Sequence, residues 1–505
     1  MKLLFAALAF LSPLSSFSAD LNKASFHAVQ GKVPFLTSLA ADFYGAGANI
    51  DPFINTALPT PDKSVYSGPL FQLRHDYPRT LPPKVAFPWK KVTNNGRITQ
   101  ANAMAYVLAL KDYVAKDMRT LLFDYPQWNP KTEKWWESIW LGTERDPIRG
   151  MYVGSGFPAG TLTGQKLDLT TYVLTMYDER AAKTLGDIWG TTANSAMHPV
   201  FKNSTTQYAD GSVIIKFSFV SSCGSDWAPM TGTTAWQLYA PLNTSNGSGN
   251  STTSTCKDNG SNGNSSTPVL TNVYFMQFDI IVKDYAAAPQ TGWVFSTLVY
   301  DKNAPGKDVW DKMVPLGATW GGNPDVINTS DSALTPPVAV DQRLSQNWIN
   351  MKAPEYSTVT LGWDGRLSGP NDGAVVTPAW TGNHYYPKGL ATAGCLACHA
   401  SAQYPMTSFL LPTTTKPPQT VQPPLSSDPS AAALVLTEPG SALWMRWFQS
   451  NAGTKPMGPA TKSGSQPMAL DYDMVTAFKA IPMWEAAVKA QQNMSQKASK
   501  FKKRK

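Results

Sequence analysis

Four stretches in the middle of the chain carry the alternation of side chains that a β-strand requires. Residues 213–219 and 274–282 alternate over most of their length, and residues 235–240 and 293–301 are shorter stretches of the same kind. Successive side chains of a strand point to opposite faces of a sheet, so this period predicts strands with one face more buried than the other. Together they predict an antiparallel sheet arranged as a sandwich or an open barrel.

A helical period precedes these strands. We predict a helix with Thr99 as its N-cap that extends to about Leu122, and a second, short helix over residues 178–188. The apolar face of the longer helix recurs at spacings of three and four residues and consists of Ala103, Val107, Leu110, Val114 and Met118.

The charge of the chain excludes a nucleic-acid partner. Hydrophobic residues make up 42% and charged residues 15% of the 505 residues, which also excludes a largely disordered chain. The formal net charge is +8, but six of these charges lie within residues 497–505 and a seventh is Lys2, which leaves +1 for the rest. No broad basic surface is therefore expected, and we interpret residues 497–505 as a solvated basic tail.

The first 19 residues have the pattern of a cleaved secretory signal peptide. Lys2 is followed by an apolar segment over residues 3–11 and by small and polar residues up to Ala19. The mature protein is then periplasmic or secreted. No later stretch has 18 consecutive apolar residues, so we expect no transmembrane span in the mature chain.

Two of the four cysteines, Cys223 and Cys256, are expected to form a disulfide in an oxidising compartment. Cys256 lies within a flexible insert rich in Ser, Thr, Asn and Gly at about residues 243–267. A disulfide there would restrict the unfolded chain and stabilise the fold by about 2–4 kcal/mol.

The other two cysteines belong to the sequence Cys395-Leu396-Ala397-Cys398-His399, which is the CxxCH pattern of c-type haem attachment. Two thiols at this spacing can add to the two vinyl groups of a porphyrin, and the adjacent imidazole can reach the iron. A thioredoxin-type CxxC would need a βαβ context, and a zinc site would need two further ligands. We therefore predict one covalent haem c, with Cys395 and Cys398 as thioethers and His399 as the proximal iron ligand.

The C-terminal quarter of the chain resembles a c-type cytochrome domain, through the CxxCH sequence and a methionine loop at residues 453–459. The first 350 residues resemble no family that we recognise. The resemblance implies a mostly helical haem domain over residues 351–496, and single-electron transfer to an unidentified redox partner protein. The expected fold class is mixed β and α, with a β-rich, sandwich-like region over residues 20–350 before that helical domain.

The same resemblance implies a methionine or histidine as the second axial ligand of the iron. In class I cytochromes this methionine lies in an extended loop before the last helix. Met457 lies in such a Pro-rich loop, before a helix predicted over about residues 470–490, and is the first candidate. Met468, in a second Pro-Met pair, is the next candidate. Met406, His384 and an open sixth position are the alternatives that remain.

The expected function is electron transfer by a periplasmic monohaem cytochrome. The alternative is a periplasmic haem-dependent oxidoreductase that acts on a substrate or small ligand, at an open haem site or in the β-rich region. A non-catalytic protein with a structural or sensory haem is a third hypothesis. An iron with six ligands favours electron transfer, whereas an open sixth position favours ligand chemistry.

A cluster of acids and tryptophans earlier in the chain offers a different chemistry. Glu133, Glu137 and Asp146 lie close in sequence to Trp135, Trp136 and Trp140. A carboxylate pair among tryptophans is typical of sugar-binding and glycoside-cleaving sites. Because the sequence does not place these carboxylates relative to one another, we interpret the cluster as aromatic core beside solvated acids.

Overall fold

The protein is described here by a computed structural model. It describes residues 52–56, 58–139, 145–157, 159–242, 256, 265–326, 340–372, 394–404, 420–421, 434–435, 444–457, 467–477 and 480. The predicted signal peptide, most of the insert and the basic tail lie outside these residues.

A nine-stranded antiparallel sheet organises the described residues. Its strands are β1 Trp135–Trp136, β2 Tyr152–Phe157, β3 Leu169–Asp178, β4 Val213–Val220, β5 Ala235–Leu242, β6 Ser265–Lys283, β7 Trp293–Tyr300, β8 Met313–Thr319 and β9 Asn347–Ile349. The strand order is β1-β3-β4-β6-β7-β8-β9, with β2 also paired to β3 and β5 also paired to β6. Strand β6 is long enough, at 19 residues, to pair with β5 along its first half and with β4 and β7 along its second.

The helices are short except for one. They are α1 Pro88–Val92, α2 Gln100–Phe123, α3 Pro130–Glu133, α4 Glu179–Trp189, α5 Ala193–Ala196, α6 Asn203–Thr206, α7 Glu355–Thr358 and α8 Cys395–His399. No helix in the described part of the chain is both long and apolar enough to cross a membrane.

Helix α2 covers one face of the sheet and confirms the helix predicted from the sequence. The backbone N–H of Thr99 donates to Asn102 Oδ1 at 2.7 Å and fixes the first turn. All five residues of the predicted apolar face are buried, and they pack against a row of sheet side chains that includes Val213, Ile215 and Phe217. The long helix therefore supplies the cover that this face of the sheet needs.

The opposite face of the sheet is covered by helix α4 and by the segment that carries the CxxCH sequence. Its apolar side chains include Tyr177, Ile214, Ile281 and Phe295, one from each of four neighbouring strands. All eight residues of β7 are buried. The expectation that each strand has one more exposed face is therefore wrong for this central strand, because both faces of the sheet are covered.

The predicted fold class is contradicted in two respects. The predicted strands lie in one sheet covered by other segments on both faces, not in a two-sheet sandwich. The described residues after 350 also form no helical cytochrome domain: they contain α7, α8, a helical turn at residues 474–477, short 3₁₀ turns and short strand pairs. These pairs join β10 Gln403–Tyr404 to β13 Met468–Ala469, and β11 Thr420–Val421 to β12 Leu434–Val435. The CxxCH segment packs against an apolar face of the β-sheet, whereas it was expected to pack within a helical bundle.

The predicted disulfide is present. Cys223 and Cys256 are joined, with their Cα atoms 5.8 Å apart. The cross-link ties the middle of the Ser/Asn/Gly-rich insert to the segment that follows β4. Strand β6 begins at Ser265, so the end of the predicted insert already belongs to the sheet.

A buried carboxylate fixes the turn that precedes β2. Asp146 is 1% exposed and accepts hydrogen bonds from the backbone N–H groups of Ile148, Arg149 and Tyr239. Burial raises the pKa of Asp146 to about 6, although these donors act in the opposite direction. The carboxylate thus joins the turn to strand β5 at the cost of being desolvated.

Replacing Asp146 by Asn should change how stability depends on pH. Because the pKa is raised in the folded state from 3.8 to about 6, ionisation of this group opposes folding. The free energy of unfolding therefore falls as the pH rises through this window. Asn does not titrate, so in Asp146→Asn the fall should be smaller by roughly 1–3 kcal/mol, at about 1.4 kcal/mol per pKa unit. Urea denaturation at several pH values across the window measures both slopes.

The matched control for this prediction is Asp124→Asn, at an exposed aspartate that follows helix α2. Its slope should equal that of the unmodified protein. Equal slopes for the unmodified protein and Asp146→Asn would contradict the assignment.

Candidate functional site

Helix α8 sorts the residues of the CxxCH sequence onto two faces. Cys395, Cys398 and His399 stand at positions i, i+3 and i+4, which share one side of a helix, and all three are half-buried. Leu396 and Ala397 are 3% exposed and pack into the core on the second face of the sheet. The two thiols and the imidazole are therefore presented together, while the residues between them anchor the helix.

The start of helix α8 depends on a glycine. Gly394 has φ +103°, and a Cβ atom on it would lie 3.0 Å from the carbonyl oxygen of Leu367. That carbonyl accepts a hydrogen bond from the backbone N–H of Cys395 at 2.8 Å. Only a residue without a side chain fits this close approach without strain, so Gly394 sets the direction in which the two cysteines enter the site.

The end of the helix is tied to a distant part of the chain. The backbone N–H of Leu470 donates to the carbonyl of Ala402 at 3.0 Å, next to the pairing of β10 with β13. This pairing brings residues 470–473 beside His399, although they follow it by more than 70 positions.

The imidazole of His399 is oriented by a backbone carbonyl. Its Nδ1 lies 2.8 Å from the carbonyl oxygen of Tyr472, and its ring centre lies 4.7 Å from that of Phe295 on β7. A carbonyl oxygen only accepts, so Nδ1 carries the proton and Nε2 carries the lone pair in the neutral ring. Histidines that bind metals are commonly held in this way, with one nitrogen donating to a carbonyl and the other left to the metal.

The carbonyl of Tyr472 sits in an unusual stretch of backbone. Asp471 and Tyr472 have φ values of +47° and +68°, in the left-handed region that non-glycine residues seldom adopt. Two adjacent residues of this kind persist only where surrounding contacts hold them. The contacts around Asp471 therefore determine where the carbonyl points.

A buried ion pair supplies these contacts. Lys283 Nζ at the end of β6 lies 2.6 Å from Asp471 Oδ1, and both side chains are fully buried. The indole Nε1 of Trp293 donates to the same oxygen at 2.9 Å, and the backbone N–H of Tyr208 donates to Oδ2 at 2.8 Å. Burial lowers the pKa of Lys283, which Asp471 partly offsets. These donors compensate for the loss of hydration of the Asp471 carboxylate.

A second aspartate fastens the other side of Tyr472. Asp473 accepts hydrogen bonds from the phenol groups of Tyr177, at 3.1 Å, and Tyr208, at 2.5 Å. Burial raises the pKa of both phenols, and the neighbouring carboxylate raises it further. The Asp471–Tyr472–Asp473 segment is thus bound to β3, β6 and β7 by buried polar groups on both sides of the carbonyl.

Two of the candidate distal ligands, Met457 and Met468, belong to the described residues, and they differ in burial. Met457 is 3% exposed and belongs to the same core cluster as Leu396 and Tyr472. Met468 lies on β13, half-buried, opposite Tyr404. Met406 and His384 lie outside the described residues, as does most of the helix predicted over residues 470–490. The choice among these ligands therefore stays a prediction.

The residues present fit a covalent haem c. Two thiols and an imidazole share one helix face, and no disulfide joins Cys395 to Cys398. The proton on Nδ1 of His399 leaves Nε2 as the nitrogen with iron-binding character. This donor set has the composition and tautomer that haem attachment requires.

Sequence reasoning missed the residues that position His399. Tyr472 acts through its backbone carbonyl and Phe295 through a ring contact, and neither leaves a motif. Lys283 left no signal either, because its face of β6 also carries the polar residues Gln277 and Asp279. Its partner Asp471 lies 188 positions away in the sequence.

Two of the three acids near the tryptophans, Glu137 and Asp146, are buried and structural rather than solvated, and Glu133 is half-buried. Glu137 is 8% exposed and lies 3.7 Å from Arg145, and Asp146 holds the turn described above. The one cluster of metal-type ligand atoms found among the described residues is Cys223, Asp226 and Cys256. Its two cysteines form the disulfide, so they offer no thiolate to a metal.

Comparison of the chain with family models, with curated proteins and with solved structures found no match.

Removing one partner of the Lys283–Asp471 pair should destabilise the folded protein. Lys283→Met leaves a fully buried carboxylate without its cation, so we expect the free energy of unfolding to fall by about 3–5 kcal/mol. Adding Asp471→Asn removes the charge left behind, so the double variant should lose less than the sum of the single losses. Urea denaturation of both single variants and the double variant measures the coupling.

The control is Lys134→Met, which breaks an exposed pair with Glu179 and should cost at most about 1 kcal/mol. Additive losses at Lys283 and Asp471 would show that the two side chains do not act together.

Proposed function

We propose that this protein is an exported monohaem c-type cytochrome whose function is single-electron transfer. The observation that carries the proposal is the CxxCH helix, on which Cys395, Cys398 and His399 share a face and His399 is fixed by the carbonyl of Tyr472. Export by the signal peptide at residues 1–19 agrees with attachment of haem outside the cytoplasm. A haem attached here would supply an iron that cycles between its ferrous and ferric states.

The chain's own residues would serve that function in distinct ways. Cys395 and Cys398 would hold the haem by thioether bonds, and His399 Nε2 would be the proximal ligand. The hydrogen bond from Nδ1 to Tyr472 increases the electron density on the ring and fixes its rotation. Phe295, packed against the imidazole, excludes water from one side of the ring. A ligand held this rigidly changes little between oxidation states, which favours transfer of one electron.

A second candidate is a haem-dependent oxidoreductase, and one feature favours it. A row of polar side chains crosses the second face of the sheet. Its member on β7 is Thr297, the next residue after Phe295 on that face. Lys216 Nζ lies 3.0 Å from Asp279 Oδ2, and the hydroxyl of Thr297 donates to Asp279 Oδ1 at 2.7 Å. Such a row, on the same face of the sheet as Phe295, offers groups for binding a small polar substrate. An open sixth position on the iron would distinguish this candidate from electron transfer.

Haem attachment is tested by cysteine substitutions in protein made with haem-attachment machinery. The unmodified protein should keep one haem after denaturation and organic extraction, and should show a c-type reduced spectrum. Cys395→Ala/Cys398→Ala should lose all covalent haem. Cys223→Ser, outside the CxxCH sequence, should retain it. A protein that carries no extraction-resistant haem would refute the proposal.

The sixth ligand is tested by carbon monoxide and by methionine substitutions. If Met457 is the distal ligand, the reduced unmodified protein should resist carbon monoxide, and Met457→Ala should bind it. The reduction potential should also fall, because a thioether raises it. Met468→Ala tests the next candidate, and Met474→Ala is a control for loss of a buried methionine.

Carbon monoxide binding by the unmodified protein would favour the oxidoreductase instead. An unchanged spectrum and potential in Met457→Ala would exclude this methionine as the ligand.

A further inference from the structure

A cavity lies on the α2 side of the sheet, on the face opposite the CxxCH helix. Its volume is about 180 Å³. The walls combine aromatic and apolar side chains with two arginines, Arg74 and Arg149, and one glutamate, Glu137. The aromatic and apolar part includes Phe71, Leu121, Tyr125, Trp128 and Trp135. Nothing in the proposed haem chemistry uses this cavity.

The guanidinium of Arg149 packs against aromatic rings, and its nearest electrostatic partner among the carboxylates, Asp146, does not form an ion pair with it. Its guanidinium lies 3.7 Å from the centre of the Tyr125 ring and 4.9 Å from that of Trp236. Its Nε and Nη1 atoms are buried and have no hydrogen-bond partner, and no carboxylate in the described part of the chain forms an ion pair with it. Desolvation lowers the pKa of Arg149. A guanidinium in such a place is stabilised by an acceptor that completes its hydrogen bonds.

Four other polar groups of the wall already have partners. These pairs are Glu137 with Arg145, Arg74 with Asp76, the indole of Trp135 with Asp117, and the hydroxyl of Tyr125 with the carbonyl of Ile148. A polyhydroxylated sugar would therefore find few groups to bind. Of the charged groups in the wall, Arg149 is the one that forms no ion pair among the described residues, and aromatic and apolar surfaces surround it.

The position of Arg149 is fixed before any ligand arrives. Asp146 Oδ2 accepts the backbone N–H of Arg149 at 2.6 Å, which holds the turn that carries this residue. The next residue, Gly150, has φ +73°, and a Cβ atom on it would lie 2.4 Å from the ring of Phe71. The arginine and the ring opposite it are thus set by backbone constraints, which lowers the entropy cost of binding.

We propose that this cavity binds a small organic monocarboxylate with a planar, apolar body, of about the size of benzoate. A guanidinium is suited to a carboxylate, because both groups are planar and their donors and acceptors match. The size also fits, since an engineered cavity of roughly 150 Å³ in another protein holds benzene. Tyr125, Trp128 and Trp135 provide the aromatic surfaces against which the body of the ligand would pack.

Calorimetric titration of the full-length holoprotein with benzoate and with benzamide tests this proposal. The two molecules have the same shape and differ in charge. We expect saturable binding of benzoate, and binding of benzamide weaker by at least roughly tenfold. No saturable binding of benzoate, or equal binding of the two, would overturn the proposal.

Substitutions then locate the binding. Arg149→Gln should weaken benzoate binding by at least roughly tenfold. Arg149→Lys keeps the charge but not the paired donors of the guanidinium, so its affinity should lie between those of the unmodified protein and Arg149→Gln. Arg97→Gln, at an exposed arginine, should bind as the unmodified protein does. Thermal unfolding checks that the variants fold. Unchanged affinity for benzoate in folded Arg149→Gln would refute the site. If that variant does not fold, the comparison of benzoate with benzamide in the unmodified protein still tests the proposal.

Discussion

The charge pair between Lys283 and Asp471 connects the sheet to the candidate haem site. It joins the end of the longest strand to a backbone stretch whose residues adopt left-handed conformations. That stretch presents the carbonyl of Tyr472, which accepts the hydrogen bond from His399. Without the buried cation, the aspartate would be left as an unpaired charge in the core, and the conformation of Tyr472 would lose its support. The orientation of the imidazole thus depends on an interaction that does not include it.

A sheet with both faces buried has a further consequence for this molecule. Different segments pack on its two faces: α2 on one and the CxxCH segment on the other. Side chains of neighbouring positions in β3 therefore contribute to different sites: Tyr177 bonds to Asp473 near the CxxCH helix, whereas Met176 lines the cavity beside Arg149. The alternation of the strand is what keeps the two environments apart.

The sequence was most informative where a pattern is local. The period of the α2 residues predicted that helix almost to its ends, and the period of β4 and of the second half of β6 placed two central strands. The Cys223–Cys256 pairing followed from the number of cysteines and the expected compartment. The arrangement of the strands into one sheet covered by other segments did not follow, because a strand alternates in the same way whichever layer covers it.

The same distinction between local and distant residues applies to the candidate site. Cys395, Cys398 and His399 are evident as a motif because their chemistry needs a fixed spacing. The groups that hold them are distant in sequence and act through a carbonyl, a ring and a glycine without a side chain. The helical domain expected from the resemblance was wrong for the described residues, because the motif specifies attachment of a cofactor and not the fold around it.

The late position of the CxxCH segment bears on the order in which the protein matures. All nine strands of the sheet precede residue 350, whereas the CxxCH segment and Tyr472 come afterwards. Because the strands come first in the chain, the sheet can pair while the face that contains Ile281 and Phe295 still lacks this part of its cover. Exposed apolar surface of this kind promotes aggregation. The period before residues 395–472 take their place on the sheet is therefore the one in which the chain is most prone to aggregate.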